Sequence, residues 1–157
     1  VTFKTPDVLL SITASLAEKL WPIDRWVTLV QDLSARGVTA GLLGAKPIDQ
    51  GRYWEGADAE TKLIEAGAQD LRGLFSLPQV VSVIDTAKLV VSLDNGIVHL
   101  ACSTTTPVIG LFRHGIHRLW APPVPNLNVV EPGPGNPVSV IDGQTVAAHV
   151  ATVLDES

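Results

Sequence analysis

The stretch that most constrains the fold is Leu89–Ser103, LVVSLDNGIVHLACS. Its first five residues form an apolar run broken only by Ser92, with β-branched Val90 and Val91 at its centre; the run is too short for a flanked helix and reads as a buried strand. Asp94-Asn95-Gly96 is a sharp turn. Ile97–Cys102 resumes as a helix, which places Asn95 and Gly96 at its N-terminus. A strand that turns sharply into a helix gathers free backbone N–H groups and the positive end of a helix dipole at one mouth, where an anion or a ribose phosphate can sit. Asp94, at the strand end, and His99, about one helical turn in, can both face that mouth. The turn on its own admits a plainer reading with equal force, in which Asp94 or Asn95 only caps the helix. A histidine between Val98 and Leu100 is, on its own, more often a satisfied core residue than a ligand.

The flanking segments repeat the alternation. Val8–Thr13 reads as a strand and Ala14–Lys19 as a loop. Ile23–Arg36 reads as an amphipathic helix, with Ile23, Trp26, Val27, Val30 and Leu33 at spacings of three and four. Pro22 suits its first turn and Gly37 stops it. Val38–Leu43 is a second strand, Asp58–Ala66 a helix, and Gln69–Gly73 a short strand or connector. Leu77–Ala87 is a helix with Ser76 as its N-cap and Pro78 in the first turn. After the opening stretch come a strand at Pro107–Phe112, a loop at His114–Asn126, a strand at Leu127–Val130 and a loop at Glu131–Pro137. A last helix, Thr145–Leu154, is capped by Asp142. Strands alternating with helices over short connections predict an α/β fold, a Rossmann-like parallel sheet with helices on both faces. Ligands of such sheets bind beyond the carboxyl ends of the strands. The loops to watch are then Ala14–Trp21, Gly44–Asp49, Gly73–Ser76, Asp94–Gly96 and Phe112–Trp120.

Bulk properties narrow the function. The 157 residues suit one domain with a real core, and 46% apolar against 17% charged residues mark a globular chain. A net charge of −5 argues against nonspecific nucleic-acid binding, so no nucleic-acid partner is expected. The single cysteine, Cys102, lies in an apolar run and reads as a small buried residue in a chain from a reducing compartment. No apolar run approaches the roughly 20 residues of a membrane span, and Val1-Thr2-Phe3-Lys4 lacks the plan of a signal peptide. A missing initiator Met and an early strand suggest a segment of something longer, although Met removal accounts for the first equally well.

Other candidates divide in the same way. Lys19, before Leu20-Trp21-Pro22, can meet a diphosphate as a point charge, or it is simply solvated. Asp49 can hold ribose hydroxyls, as carboxylates after a second strand do in nucleotide-binding folds, or it caps a helix. His114 and His117 are spaced like some metal ligands but have no carboxylate or cysteine close in sequence, so no metal site is expected. His149 reads as a surface residue. There is no Walker A loop, G-x-G-x-x-G fingerprint or nucleophile elbow.

Three segments in order carry a family resemblance. Lys19-Leu20-Trp21-Pro22 with Arg25-Trp26 looks like a Lys-x-Trp-Pro helix opening. Asp70–Leu77 (DLRGLFSL) is similar to a leucine-glycine-x-threonine/serine-leucine segment. Asp94–Ala101 (DNGIVHLA) matches an Asp-(Thr/Ser)-Gly-x-x-His-x-Ala block and is the most specific of the three. Pro107–Phe112 resembles the strand that follows that block. Together they resemble glycosyltransferase family 9, the heptosyltransferase-like enzymes, from about Val8 to Leu154. The resemblance implies residues 1–157 as a single nucleotide-sugar-binding domain, the carboxy-terminal half of a two-domain GT-B enzyme. It implies a nucleotide-sugar donor, commonly ADP-heptose, and no separate cofactor. It implies a glycolipid acceptor, the inner core of lipopolysaccharide, reached through an amino-terminal domain that supplies the catalytic base.

By the same resemblance Lys19 contacts the diphosphate or leaving oxygen as the catalytic group, and Asp94 and His99 hold the donor sugar and phosphates. The backbone at Asn95 and Gly96 cradles phosphate, Asp49 holds the ribose, and Ser76 and Arg113 complete the substrate-binding set. Asn95 stands where the family has Thr or Ser, and Arg113 where it usually has Gly, so both bear on donor choice. The implied location is cytoplasmic, peripheral to the inner membrane face. A noncatalytic nucleotide- or sugar-binding module of the same fold is the alternative.

Overall fold

A computed structural model describes residues 3–45, 57–121 and 123–156. Strands β1 (Val8–Ser11), β2 (Ala40–Leu42), β3 (Gln69–Asp70), β4 (Leu89–Leu93), β5 (Val108–Leu111) and β6 (Leu127–Val130) form one sheet in the order β3-β2-β1-β4-β5-β6. Every neighbouring pair is parallel. Among the described residues the α-helices are α1 (Ile23–Ala35), α2 (Ala57–Glu65), α3 (Leu77–Thr86), α4 (Gly96–Cys102), α5 (His117–Trp120) and α6 (Gly143–Asp155). Strand order reverses between β1 and β4, which makes their carboxyl ends the switch point of the sheet.

Alternation along the strands builds two cores. Val8 and Leu10 of β1, Leu89, Val91 and Leu93 of β4, and Ile109 and Leu111 of β5 point to one face. There they meet Trp26, Leu29, Val30 and Leu33 of α1, Leu63 of α2, and Val146 and Val150 of α6. Leu9, Val90 and Val108 point to the other face, against Val83 and Ile84 of α3 and Ala101 of α4. Covering both faces is why these strands read as unbroken apolar runs. A Cβ at Gly110 would collide with the Phe112 ring, so β5 carries glycine where the aromatic folds back over the strand.

Local signals fix the helix ends. Ser76 and Gln79 form a capping box at the start of α3. The Asp142 carboxylate accepts the Gln144 N–H at 2.9 Å to open α6. Beyond α1, Gly37 takes φ +74°, a left-handed conformation that glycine adopts at no steric cost. Cys102 is buried and free, and burial raises its thiol pKa. His149 is exposed on α6.

The structure corrects several expected boundaries. The loop after β1 contains a 3-10 turn, Ala17–Lys19, and the expected loop His114–Asn126 contains the four-residue helix α5. Both are too short to leave a periodic pattern. The second strand shrinks from Val38–Leu43 to β2, the connector Gln69–Gly73 to β3, and the fifth strand loses its ends, Pro107 and Phe112. The last helix begins two residues earlier than the apolar spacing indicates, because Asp142 caps it directly.

Two carboxylates tie the amino ends and the edge of the sheet. Asp7 accepts the Thr39 N–H at 3.1 Å, and this bond holds its carboxyl below the ordinary value. Asp70 accepts two bonds from the Arg72 guanidinium at 2.9 and 3.0 Å, which lower its pKa likewise. The folded protein therefore binds fewer protons than the unfolded chain near pH 4. The stability these groups contribute is complete above that range and is lost as the pH falls through it. In urea titrations the midpoint should drop between about pH 5 and 3. An Asp7→Asn/Asp70→Asn double variant should show a flatter dependence; an unchanged slope would refute the assignment.

Candidate functional site

The site assembles at the switch point, beginning with Asn95. This residue is the N-cap of α4 and ties the turn to β1. Its amide nitrogen donates to Ser11 Oγ at 2.8 Å and to the Thr13 carbonyl at 2.9 Å. Its Oδ1 accepts the Ile97 N–H at 2.9 Å and the Ser92 hydroxyl at 3.2 Å. Ser11 and Ser92 are register partners across β1 and β4, both buried. Both amide hydrogens of Asn95 and its Oδ1 are thus engaged by the protein, while the Ser92 hydroxyl shares its proton with the Leu93 carbonyl at 2.8 Å. Its side chain fixes where Gly96 and the following backbone sit.

Lys19 reaches the same turn from the opposite side. The 3-10 turn Ala17–Lys19 is anchored by the residues that follow it. Trp21 Nε1 donates to the Ile141 carbonyl at 2.9 Å and stacks edge-to-face on Trp26, centroids 4.8 Å apart. Arg25 donates to the carbonyls of Ser139 and Ile141. Held this way, Lys19 Nζ lies 3.5 Å from Asp94 Oδ2, with side chains 15% and 14% exposed. An ion pair this sheltered is screened far less than a surface one. The neighbouring Glu18 pairs with Arg113, which lies just beyond β5. One three-residue turn therefore straps across the ends of both β4 and β5.

A cavity of 450 Å³ opens at this switch point. Ser11, Thr13, Asn95 and Gly96 give it a polar side; Phe75, Val80, Ile97 and Leu100 give it an apolar one. Gly44, Ala45 and Gly73 complete it from the loops after β2 and β3. A wider groove of 680 Å³, between Pro107, Asn126 and His149, lies at the amino ends of β5 and β6, the wrong end of a parallel sheet for ligand binding.

The structure thus brings Asn95 and Gly96 to the cavity wall and pairs Lys19 with Asp94 at the same turn, outside the cavity lining. It places the others apart. His99 is exposed on α4 and does not line the cavity. Ser76 is exposed, with its hydroxyl turned to the α3 cap. Arg113 lines a second cavity with Glu18. Asp49 lies outside the described residues. Among the described residues, no three His, Cys, Asp or Glu side chains gather as a metal site, and no helix is long and apolar enough to cross a membrane. Sequence reasoning passed over Ser11, Thr13, Phe75 and Glu18. A usable signal existed for the first: Ser11 and Ser92 are polar residues inside otherwise apolar strands, which need hydrogen-bond partners when buried.

Comparison with known proteins places this geometry in context. The family model described as Glycosyltransferase family 9 (heptosyltransferase) matches residues 1–136. Lipopolysaccharide heptosyltransferase 3 of Escherichia coli K12 is 31% identical over 122 residues, covering 76% of this chain and 34% of its own length. The structure of a family 9 glycosyl transferase from Veillonella parvula superposes with a TM-score of 0.83 at 19% identity, over 100% of this chain and 48% of that one. E. coli heptosyltransferase WaaC, solved with ADP-2-deoxy-2-fluoro heptose, gives 0.71 at 25% identity, over 94% and 44%. The chain spans about a third of that curated relative and under half of those solved chains.

Proposed function

We infer that this chain, which belongs to glycosyltransferase family 9, is the donor-binding half of an inverting, heptosyltransferase-like enzyme of lipopolysaccharide core or related glycan synthesis. The observation that carries the reading is the switch-point cavity, polar on its Asn95-Gly96 side and apolar on its Phe75 side, beside the Lys19–Asp94 pair. A nucleobase suits the apolar wall, and the diphosphate suits the backbone at Gly96 together with the Lys19 ammonium. Asp94 and His99 attend the sugar and phosphates, and Asp49 the ribose. Asn95 and Ser76 act as positioning residues through the caps they form. The ligand bound to WaaC makes ADP-heptose the first donor to try.

In the reaction an acceptor hydroxyl attacks the anomeric carbon while the bond to the diphosphate oxygen breaks. Negative charge gathers on the leaving diphosphate, where a fixed cation and oriented N–H groups stabilise it. Following the family resemblance, the group that takes the hydroxyl proton is assigned to the other half of the enzyme. The acceptor is a glycolipid held by that half. The expected setting is cytoplasmic, at the inner membrane face.

Calorimetry with ADP, UDP, GDP and ADP-heptose checks this. One nucleotide series should bind with 1:1 stoichiometry, and Val80→Glu, which puts a charge on the apolar wall, should abolish the heat. These 157 residues alone should not transfer sugar to a lipid-linked acceptor. Binding of no nucleotide, or transfer at full rate, would overturn the reading.

A further inference from the structure

We propose that the cavity beyond β5, formed by Glu18, Arg113, His114 and Asn136, is a subsite for the hydroxyls of a neutral sugar, and that the Glu18–Arg113 pair selects which sugar is accepted. The inference rests on the donor-binding reading above. The cavity measures 480 Å³, within the range of small-molecule sites. Its position follows from the strap. Glu18 and Lys19 are consecutive, one paired to Arg113 after β5 and the other to Asp94 after β4. The cavity therefore begins one residue from the cation proposed for the diphosphate, at the same end of the sheet.

Its chemistry differs from that of the first cavity. Among the described residues, Ile116 and Pro137 are its only large apolar contributors, and neither is a flat platform for a base. It offers no excess positive charge for a further phosphate, because Arg113 is offset by Glu18 and His114 lies 3.6 Å from Glu131. A carboxylate beside a guanidinium presents acceptors and donors in adjacent positions, which is what neighbouring hydroxyls require. One donor of the pair is left unmatched within the fold. Arg113 Nε is enclosed and makes no hydrogen bond among the described residues. His114 Nδ1 lies 3.2 Å from the Pro132 carbonyl, which can only accept, so Nδ1 carries a proton and donates there. The Glu18–Arg113 pair also straps the turn to the end of β5, so the same two side chains that line the cavity fix its shape.

The test compares ADP with ADP-heptose and ADP-glucose by calorimetry on the wild-type chain, Glu18→Gln and Arg113→Lys, with thermal melts confirming that each variant is folded. The expected result is an ADP affinity within about twofold of wild type in both variants. The affinity for whichever ADP-sugar the wild type prefers should fall about tenfold, and the preference between the two sugars should narrow. Equal losses for ADP and ADP-sugar, no loss for either, or a wild-type chain that binds ADP-sugars no better than ADP would overturn the subsite alone. A wild-type chain that binds none of the three would overturn the donor-binding reading and the subsite with it.

Discussion

Lys19→Ala should weaken binding of the nucleoside diphosphate about ten- to a hundredfold, the usual worth of a sheltered charge-assisted hydrogen bond. The pairing of Lys19 with Asp94 gives this prediction a second arm with the opposite sign. Asp94→Asn removes the carboxylate 3.5 Å from the ammonium and leaves its full charge to the ligand. Affinity for the bare diphosphate should then rise several-fold. Affinity for the nucleotide sugar should fall, since Asp94 is the group proposed to hold the sugar. Isothermal titration of both ligands against both variants resolves the four numbers. A parallel change in ADP and ADP-sugar on Asp94→Asn would show that Asp94 serves only to hold Lys19. A Lys19→Ala chain that binds ADP as well as wild type would remove Lys19 from the site.

Asn95→Ala should be the most destabilising change at the turn, by about 3 kcal/mol in urea denaturation. It loses an N-cap and leaves the Thr13 carbonyl and the Ser11 hydroxyl without their donor in a sheltered place. Asn95→Asp tests the direction of the bonds. The carboxylate can still cap Ile97 but cannot donate to the Thr13 carbonyl, so it should recover only the cap, about 1 kcal/mol. Loss of under about 0.5 kcal/mol in Asn95→Ala, the level of an ordinary surface change, would show that the amide is not a structural tie.

The comparison between sequence and structure turns on chain separation. Leu89–Leu93, the turn at Asp94–Gly96 and the caps at Ser76 and Asp142 are local devices. Each is decided by residues within four positions of one another, and each appears where the sequence places it. The parallel order of the sheet follows from the alternation of strands and helices. The partners of the site residues are not local. Ser11 meets Asn95 across 84 positions, Glu18 meets Arg113 across 95, and Arg25 reaches Ser139 across 114. No periodicity encodes such pairs. The resemblance to family 9 marks Lys19, Asn95 and Arg113 but carries no word of what they touch. For that reason the sequence assigns phosphate to the backbone at Asn95 and Gly96 but gives no sign that the Asn95 side chain is bonded to Ser11 and the Thr13 carbonyl.

That bond between Ser11 and Asn95 has a consequence for how relatives of this chain can differ from it. A Thr or Ser at position 95 offers one hydroxyl proton where the amide offers two, so it cannot serve both Ser11 and the Thr13 carbonyl. The residue at 11, three strands earlier in sequence order and adjacent in space, must then donate its own hydroxyl proton to position 95 rather than accept from it, or be left unsatisfied in a buried place. Positions 11 and 95 therefore form one hydrogen-bonded unit, in which a change at either reverses or removes the bond of the other. Grafting either alone into a relative carrying the other pattern should disturb the turn that both of them hold.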